Sequence, residues 1–153
     1  MRVTRVVSVF AAVALLGIAC EEDATGIPAG LEVFTTTLNG ANESPPITTT
    51  ATGHAIVTIL GDSLVSWEVI IDSPIDSITL GHIHRIHPDS QVGNVVVNFA
   101  PPATGLAFTG TATIGSSAPP DSVIALIREG RGYVNIHTRV NGGGEIRGFL
   151  VKQ

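Results

Sequence analysis

Two strictly alternating runs, joined by a two-residue turn, constrain this chain more than any other feature. Gly53 to Leu60 sets His54, Ile56, Thr58 and Leu60 against Ala55, Val57 and Ile59. After Gly61-Asp62, Ser63 to Ile71 sets Leu64, Ser66, Glu68 and Ile70 against Val65, Trp67, Val69 and Ile71. A period of two is what a strand needs when its two faces meet different surroundings. The Gly-Asp step between the runs predicts a hairpin. Val65, Trp67, Val69 and Ile71 are the expected core face, with Trp67 as its anchor.

The remaining segments follow the same grammar. Glu32 to Leu38, Ile75 to His84, Val95 to Phe99, Leu106 to Ile114, Tyr133 to Thr138 and Ile146 to Val151 read as further strands. They are punctuated by Asn39-Gly40, by the irregular loop Ala41 to Pro46, by a turn at Asp72 to Pro74, by the polar stretch Arg85 to Asn94, and by Asn141-Gly142-Gly143-Gly144. Asp121 to Glu129 departs from the pattern. Val123, Ile124 and Ile127 fall at helical spacing before Gly130, which predicts one short helix covering an end of the fold. The expectation is all-β: a Greek-key, immunoglobulin-like or superoxide-dismutase-like β-sandwich of about eight strands with one short helix.

Residues 1–19 carry a basic start at Arg2 and Arg5, an apolar run from Val6 to Ile18, and a small-residue end at Ala19. That is the layout of an export signal, too short for a comfortable membrane span. Leu16-Gly17-Ile18-Ala19-Cys20 resembles a bacterial lipobox, which implies lipidation of Cys20 and anchoring in the bacterial cell envelope, with Gly17 where leucine is usual. Plain secretion is the alternative. Residues 20–30 then read as a tether, and 31–153 as the domain. Removing the signal changes the charge from −5 to (8 − 2) − 13 = −7 with histidine neutral. Cys20 is the single cysteine, so no internal disulfide forms. An acidic chain with 5% aromatic residues and almost no lysine makes a poor nucleic-acid partner.

The chemistry is concentrated in polar pairs at strand spacing. His82 and His84 stand on one side of their strand, Asn135 and His137 on one side of theirs, and Glu145 and Arg147 likewise. Neighbouring strands lie about 4.8 Å apart, so His82, His84 and His137 are candidate ligands for copper or zinc, with Glu145 or Glu43 able to complete a mixed site. The other reading of these residues is a structural network. In it Glu43, Glu145 and Arg147 pair to hold the Asn42-Glu43-Ser44-Pro45-Pro46 loop, while Asn135 and the histidines donate to loop carbonyls. His54 reads as surface, and Arg85 to Asn94 does not read as a zinc-binding loop, although it offers His87 and Asp89 as candidates. Arg128 and Arg131 read as complements to the helix dipole.

Six separated motifs then resemble the CHRD domain, a module named from chordin and common in exported bacterial proteins. They are Leu38 to Pro46, Ala51 to Ala55, Gly81-His82-Ile83-His84, Gly110 to Thr113, Tyr133 to Thr138 and Gly143 to Gly148. The resemblance runs from about Phe34 to Leu150 in the family's order. Two departures are Arg85-Ile86-His87-Pro88, where the family often has Gly-Pro, and Phe149-Leu150, where it often has Gln-Leu. The resemblance implies an extracytoplasmic β-sandwich module and no transferable activity. His82-Ile83-His84 also looks like the strand-borne copper pair of copper-zinc superoxide dismutases, without that family's disulfide cysteines.

No nucleophile elbow, phosphate loop or dinucleotide fingerprint is present, which argues against an enzyme. The expected function is a non-catalytic binding or structural module of the envelope that recognises a protein or a small ligand. The alternative is a copper- or zinc-binding protein with possible superoxide-dismutase-like redox chemistry.

Overall fold

A computed structural model describes residues 30–101 and 104–153. The signal, Cys20 and most of the tether lie outside the described residues. The strands are β1 (Leu31–Asn39), β2 (Thr52–Leu60), β3 (Leu64–Ile75), β4 (Ile78–Arg85), β5 (Val95–Asn98), β6 (Phe108–Ser117), β7 (Gly132–Thr138), β8 (Ile146–Phe149) and β9 (Val151–Lys152). One helix, α1 (Asp121–Arg128), precedes β7, and a 3-10 turn, Gly40–Asn42, follows β1.

The strands form one antiparallel sheet in the order β5-β4-β7-β8-β1-β2-β3-β6, with β9 also paired to β1. The two ends of this order face each other. Trp67 of β3 stacks on Phe99, just beyond β5, with ring centroids 4.9 Å apart. The sheet therefore rolls around a single apolar core, which gives the all-β, sandwich-like body the alternation predicts. Val65, Trp67, Val69 and Ile71 all lie in that core, with Ala55, Val57 and Ile59 facing them from β2.

The expected helix is present. Asp121 lies in its first turn and Arg128 in its last, matching the ends of the helix dipole. Gly130, with φ of +68°, leaves it in the left-handed conformation that ends so many helices. Ile124, Leu126 and Ile127 close the core. Arg128 does more than complement the dipole: it bonds Glu32 and Asp62, tying the helix to β1 and to the β2–β3 turn.

Two boundaries differ from expectation. Asp72 to Pro74 is not a turn, because β3 runs on through it to Ile75. Ser73 pairs with Thr52, and Ile75 pairs with Phe108 after a bulge. Pro74 is exposed at that irregularity, where a missing N–H costs the ladder little. The chain turns instead at Ser77, whose φ is +53°, so β4 begins at Ile78. The last strand is divided into β8 and β9 at Leu150, which turns its side chain into the core.

Candidate functional site

The alternation of β4, β7 and β8 sorts these strands into two unlike faces. Ile83, Val134, Ile136 and Ile146 enter the apolar core. The opposite face carries His82 and His84 on β4, Tyr133, Asn135 and His137 on β7, and Arg147 and Phe149 on β8. Register sets them in rows: His84 opposite Tyr133 opposite Phe149, and His82 opposite Asn135 opposite Arg147. His137 lies one pair further on, opposite Leu80, and so diagonal to His82.

Every residue of β7 is buried, although Tyr133, Asn135 and His137 point away from the core. Loops roof this second face. The segment between β4 and β5 is pinned from below: Arg85 N–H donates to Asn94 O (2.9 Å), Gly93 N–H to the Tyr133 hydroxyl (3.5 Å), and Arg147 Nη1 to Gln91 O (3.2 Å). At Gly93 a Cβ would stand 2.0 Å from Arg85 O, so only glycine permits this closure. The loop after β1 is held by Arg147, whose Nε donates to Asn42 O while Asn42 Nδ2 donates to Arg147 O at 3.1 Å. The loop after β7 folds back through Gly144 N–H to Asn141 O at 3.0 Å.

Under this roof the three histidines converge. One nitrogen from each of His82, His84 and His137 lies within 4.8 Å of the others. The residues are 7%, 9% and 7% exposed. Their hydrogen bonds decide which nitrogens carry protons. His84 Nδ1 lies 2.9 Å from Gly93 O, and His137 Nδ1 lies 3.0 Å from Gly142 O. A carbonyl accepts only, so both rings hold their proton on Nδ1 and present a bare Nε2. His84 Nε2 is buried without a partner. His137 Nε2 lies 3.1 Å from His82 Nδ1, which must then be the donor when all three rings are neutral.

The rings resist protonation. Burial pushes His82 down to about 4, helped by the unfavourable charges of His137 and His84. Burial also lowers His84 and His137, outweighing the carbonyl bonds that favour their charged forms. Arg147 adds to the lowering at His84. Neutral imidazole is the form that binds a metal, so protons compete little here near neutrality. Nitrogens bound to a tetrahedral ion at 2.0–2.1 Å lie about 3.3 Å apart. The His82–His137 separation already matches. The widest separation must close by up to about 1.5 Å, which the broad χ2 torsion of histidine allows.

The four polar residues beside the triad divide between two arrangements. Arg147 is buried against the rings of Tyr133 and Phe149, 5.0 and 5.4 Å from their centroids, and its Nε lies 3.8 Å from Glu43 Oε2. Burial raises Glu43 to about 7 despite Arg147 and a bond from the Ser44 backbone. Glu43 Oε1 and Asn135 Oδ1 are both buried without a donor, and both border Gly144. A proton on Glu43 would supply one donor at that point.

Glu145 stands apart. It accepts from Thr49 (2.8 Å), Thr138 (2.7 Å) and Asn141 (3.1 Å), and so clamps the final turn instead of joining Arg147 or the histidines. The expected Glu145–Arg147 pairing is absent because both Glu145 oxygens are taken by Thr49, Thr138 and Asn141, while Arg147 turns to Asn42 O and Gln91 O. His87 and Asp89 lie on the outer, exposed part of the roof and outside the triad. His54 reaches only Asp72, on the open face of β2 and β3.

Sequence reasoning misses Tyr133 and Gly93. Tyr133 stacks on His84 with centroids 5.0 Å apart and planes 12° apart. The period of two that selects Asn135 and His137 also selects Tyr133. Gly93 leaves no such trace, since its role depends on the distant backbone it approaches.

A family model described as the CHRD domain matches residues 34–150. No curated protein and no solved structure matches the chain.

Proposed function

The chain belongs to the CHRD domain family, and on that footing we propose that it is an extracytoplasmic binding module whose ligand is a first-row transition ion. His82, His84 and His137 hold the ion, copper or zinc. The observation that carries this reading is the fixed tautomers of His84 and His137, which spend Nδ1–H on backbone carbonyls and leave Nε2 free. Backbone carbonyls that accept the other ring N–H orient metal-ligating histidines in the same way. His82 completes the set through Nδ1 once its proton moves to Nε2. Capture therefore requires one tautomer change in the three rings.

The reading includes the cell envelope as the place of work, with Cys20 lipidated and residues 20–30 as the tether. Cys20→Ala should leave the precursor uncleaved and unacylated. A Greek-key, superoxide-dismutase-like path for the sheet belongs to it as well, supported by the strand order, which places β7 beside β4 and β8 beside β1.

The ion site is tested by incubating the purified chain with zinc or copper, desalting it, and measuring metal by elemental analysis. One ion per chain is expected, and none on His84→Ala. Absence of retained metal in the parent chain overturns the reading. Arg147 favours a second reading, in which the roofed face is architectural and the module binds a protein or small ligand elsewhere. Arg147 joins the loops after β1 and β4 to β8, as a structural bolt would. Under that reading His84→Ala changes stability and no metal is retained by either chain.

A further inference from the structure

The charges around the triad point to a second ligand. We propose that the ion held by His82, His84 and His137 keeps its remaining position for a small anion from solvent, and that Arg147 strengthens the anion's hold. This inference rests on the reading of the triad as an ion site.

The candidate ligand atoms are three imidazole nitrogens with no carboxylate among them. A divalent ion would thus enter a largely buried site with its whole charge uncompensated. Arg147, 2% exposed, adds a fixed positive charge nearby. It shares a register row with His82 and Asn135, and its guanidinium lies 5.0 Å from the centre of the Tyr133 ring, which stacks on His84. The neighbouring acids are committed to other partners and offer the ion no oxygen. Both oxygens of Glu145 are engaged by Thr49, Thr138 and Asn141. Glu43 faces Arg147 at 3.8 Å, and burial disfavours its charged form. Burying unpaired charge is costly, and a mobile anion on the ion is the simplest compensation. Three protein ligands on zinc also leave the fourth tetrahedral position to a non-protein group. The class expected is small and monodentate: hydroxide, halide, azide or bicarbonate.

Cobalt(II) is the probe, because its visible bands report coordination number and ligand exchange. The full chain is loaded with cobalt and titrated with azide at constant ionic strength, using perchlorate as the weakly coordinating balance. A saturable spectral change at one azide per cobalt is expected. Arg147→Gln should weaken azide at least about fivefold, the effect of removing one nearby positive charge. Arg147→Lys, which keeps the charge, should stay within about twofold of the parent. A cobalt-loaded parent whose bands ignore azide overturns the anion proposal and leaves the ion site standing. Equal azide affinity in a folded Arg147→Gln removes Arg147 from it. If Arg147→Gln does not fold, the parent titration decides the anion and the lysine variant decides the charge. A parent chain that retains no cobalt overturns both readings together.

Discussion

The outer face of this sheet holds histidines in two places, and they live in opposite conditions. On β2 and β3 the face is open. His54 meets Asp72 at 2.9 Å, with side chains 41% and 46% exposed. On β4, β7 and β8 the face is roofed, and His82, His84 and His137 meet one another and two backbone carbonyls. The strand alternation that places these residues is the same in both. What differs is the cover. An open histidine finds water or a carboxylate. A roofed cluster without a carboxylate is driven neutral, and its lone pairs are left to whatever ion can replace the missing charge partner. The roof, more than the His-x-His spacing, makes the site.

The sharpest way to break this comparison is to delete one histidine from each region. Structural zinc sites gain roughly 10–16 kcal/mol from about four ligands, so losing one of three should weaken zinc on the order of 1,000-fold. His84→Ala is expected to do so, and His54→Ala to leave affinity unchanged, by competition against a chromophoric chelator. Equal losses would erase the distinction between the faces.

The pH dependence of stability should carry the next largest signal. Glu43 titrates at about 7 in the fold against 4.5 in its ordinary state. A raised carboxyl pKa stabilises fully below the unfolded value and loses that contribution as pH rises through 7. At pH 8 the loss is about 3 kcal/mol as an upper bound. His82 acts in the opposite sense. Its pKa falls to about 4 from 6.5, so its contribution is full above 6.5 and is lost as pH falls toward 4. Glu43→Gln should therefore raise stability at pH 8 and change little at pH 4, by urea melts across the range. A flat difference between variant and parent would refute the assignment of Glu43.

A third contrast uses two glycines. A Cβ at Gly93 would strike Arg85 O, whereas Gly61, in the β2–β3 turn with φ of +58°, has nothing within 4 Å. Gly93→Ala should cost about 2 kcal/mol or more and weaken zinc together with stability, since the roof supplies the carbonyl that orients His84. Gly61→Ala should cost about 1 kcal/mol, the left-handed backbone penalty alone, and leave zinc binding intact. Thermal melts with and without zinc separate the two. The smallest effect is expected at Asp72→Asn, within about 0.5 kcal/mol, as for most exposed ion pairs.

Much of this architecture is legible in the chain. The alternating runs place Trp67 and its neighbours in the core, and the period of two sets His82 beside His84 and Asn135 beside His137. The spacing of Val123, Ile124 and Ile127 marks the helix. What is hidden depends on long-range pairing. Nothing local says that β4 lies against β7, which is what brings His137 to His82 from 55 positions away. The side taken by Glu145 is hidden for the same reason, because it sits where the turn ends and its partner Thr49 comes from a loop 96 positions earlier. Asp72 to Pro74 looks like a turn by composition, yet pairing on both sides of β3 holds it extended. The roof is the least legible part, since glycine at 93 is needed only once β4 has brought the Arg85 carbonyl beneath it.

The most direct test is the ring-nitrogen NMR spectrum of the five histidines at neutral pH, before and after one equivalent of zinc. The account requires neutral rings at His82, His84 and His137, with the proton on Nδ1 of His84 and His137. Zinc should shift Nε2 of those two and Nδ1 of His82, leaving His54 and His87 unmoved. Imidazolium signals from the triad, protons on Nε2 of His84 or His137 before zinc, or zinc shifts confined to His54 and His87 would contradict it.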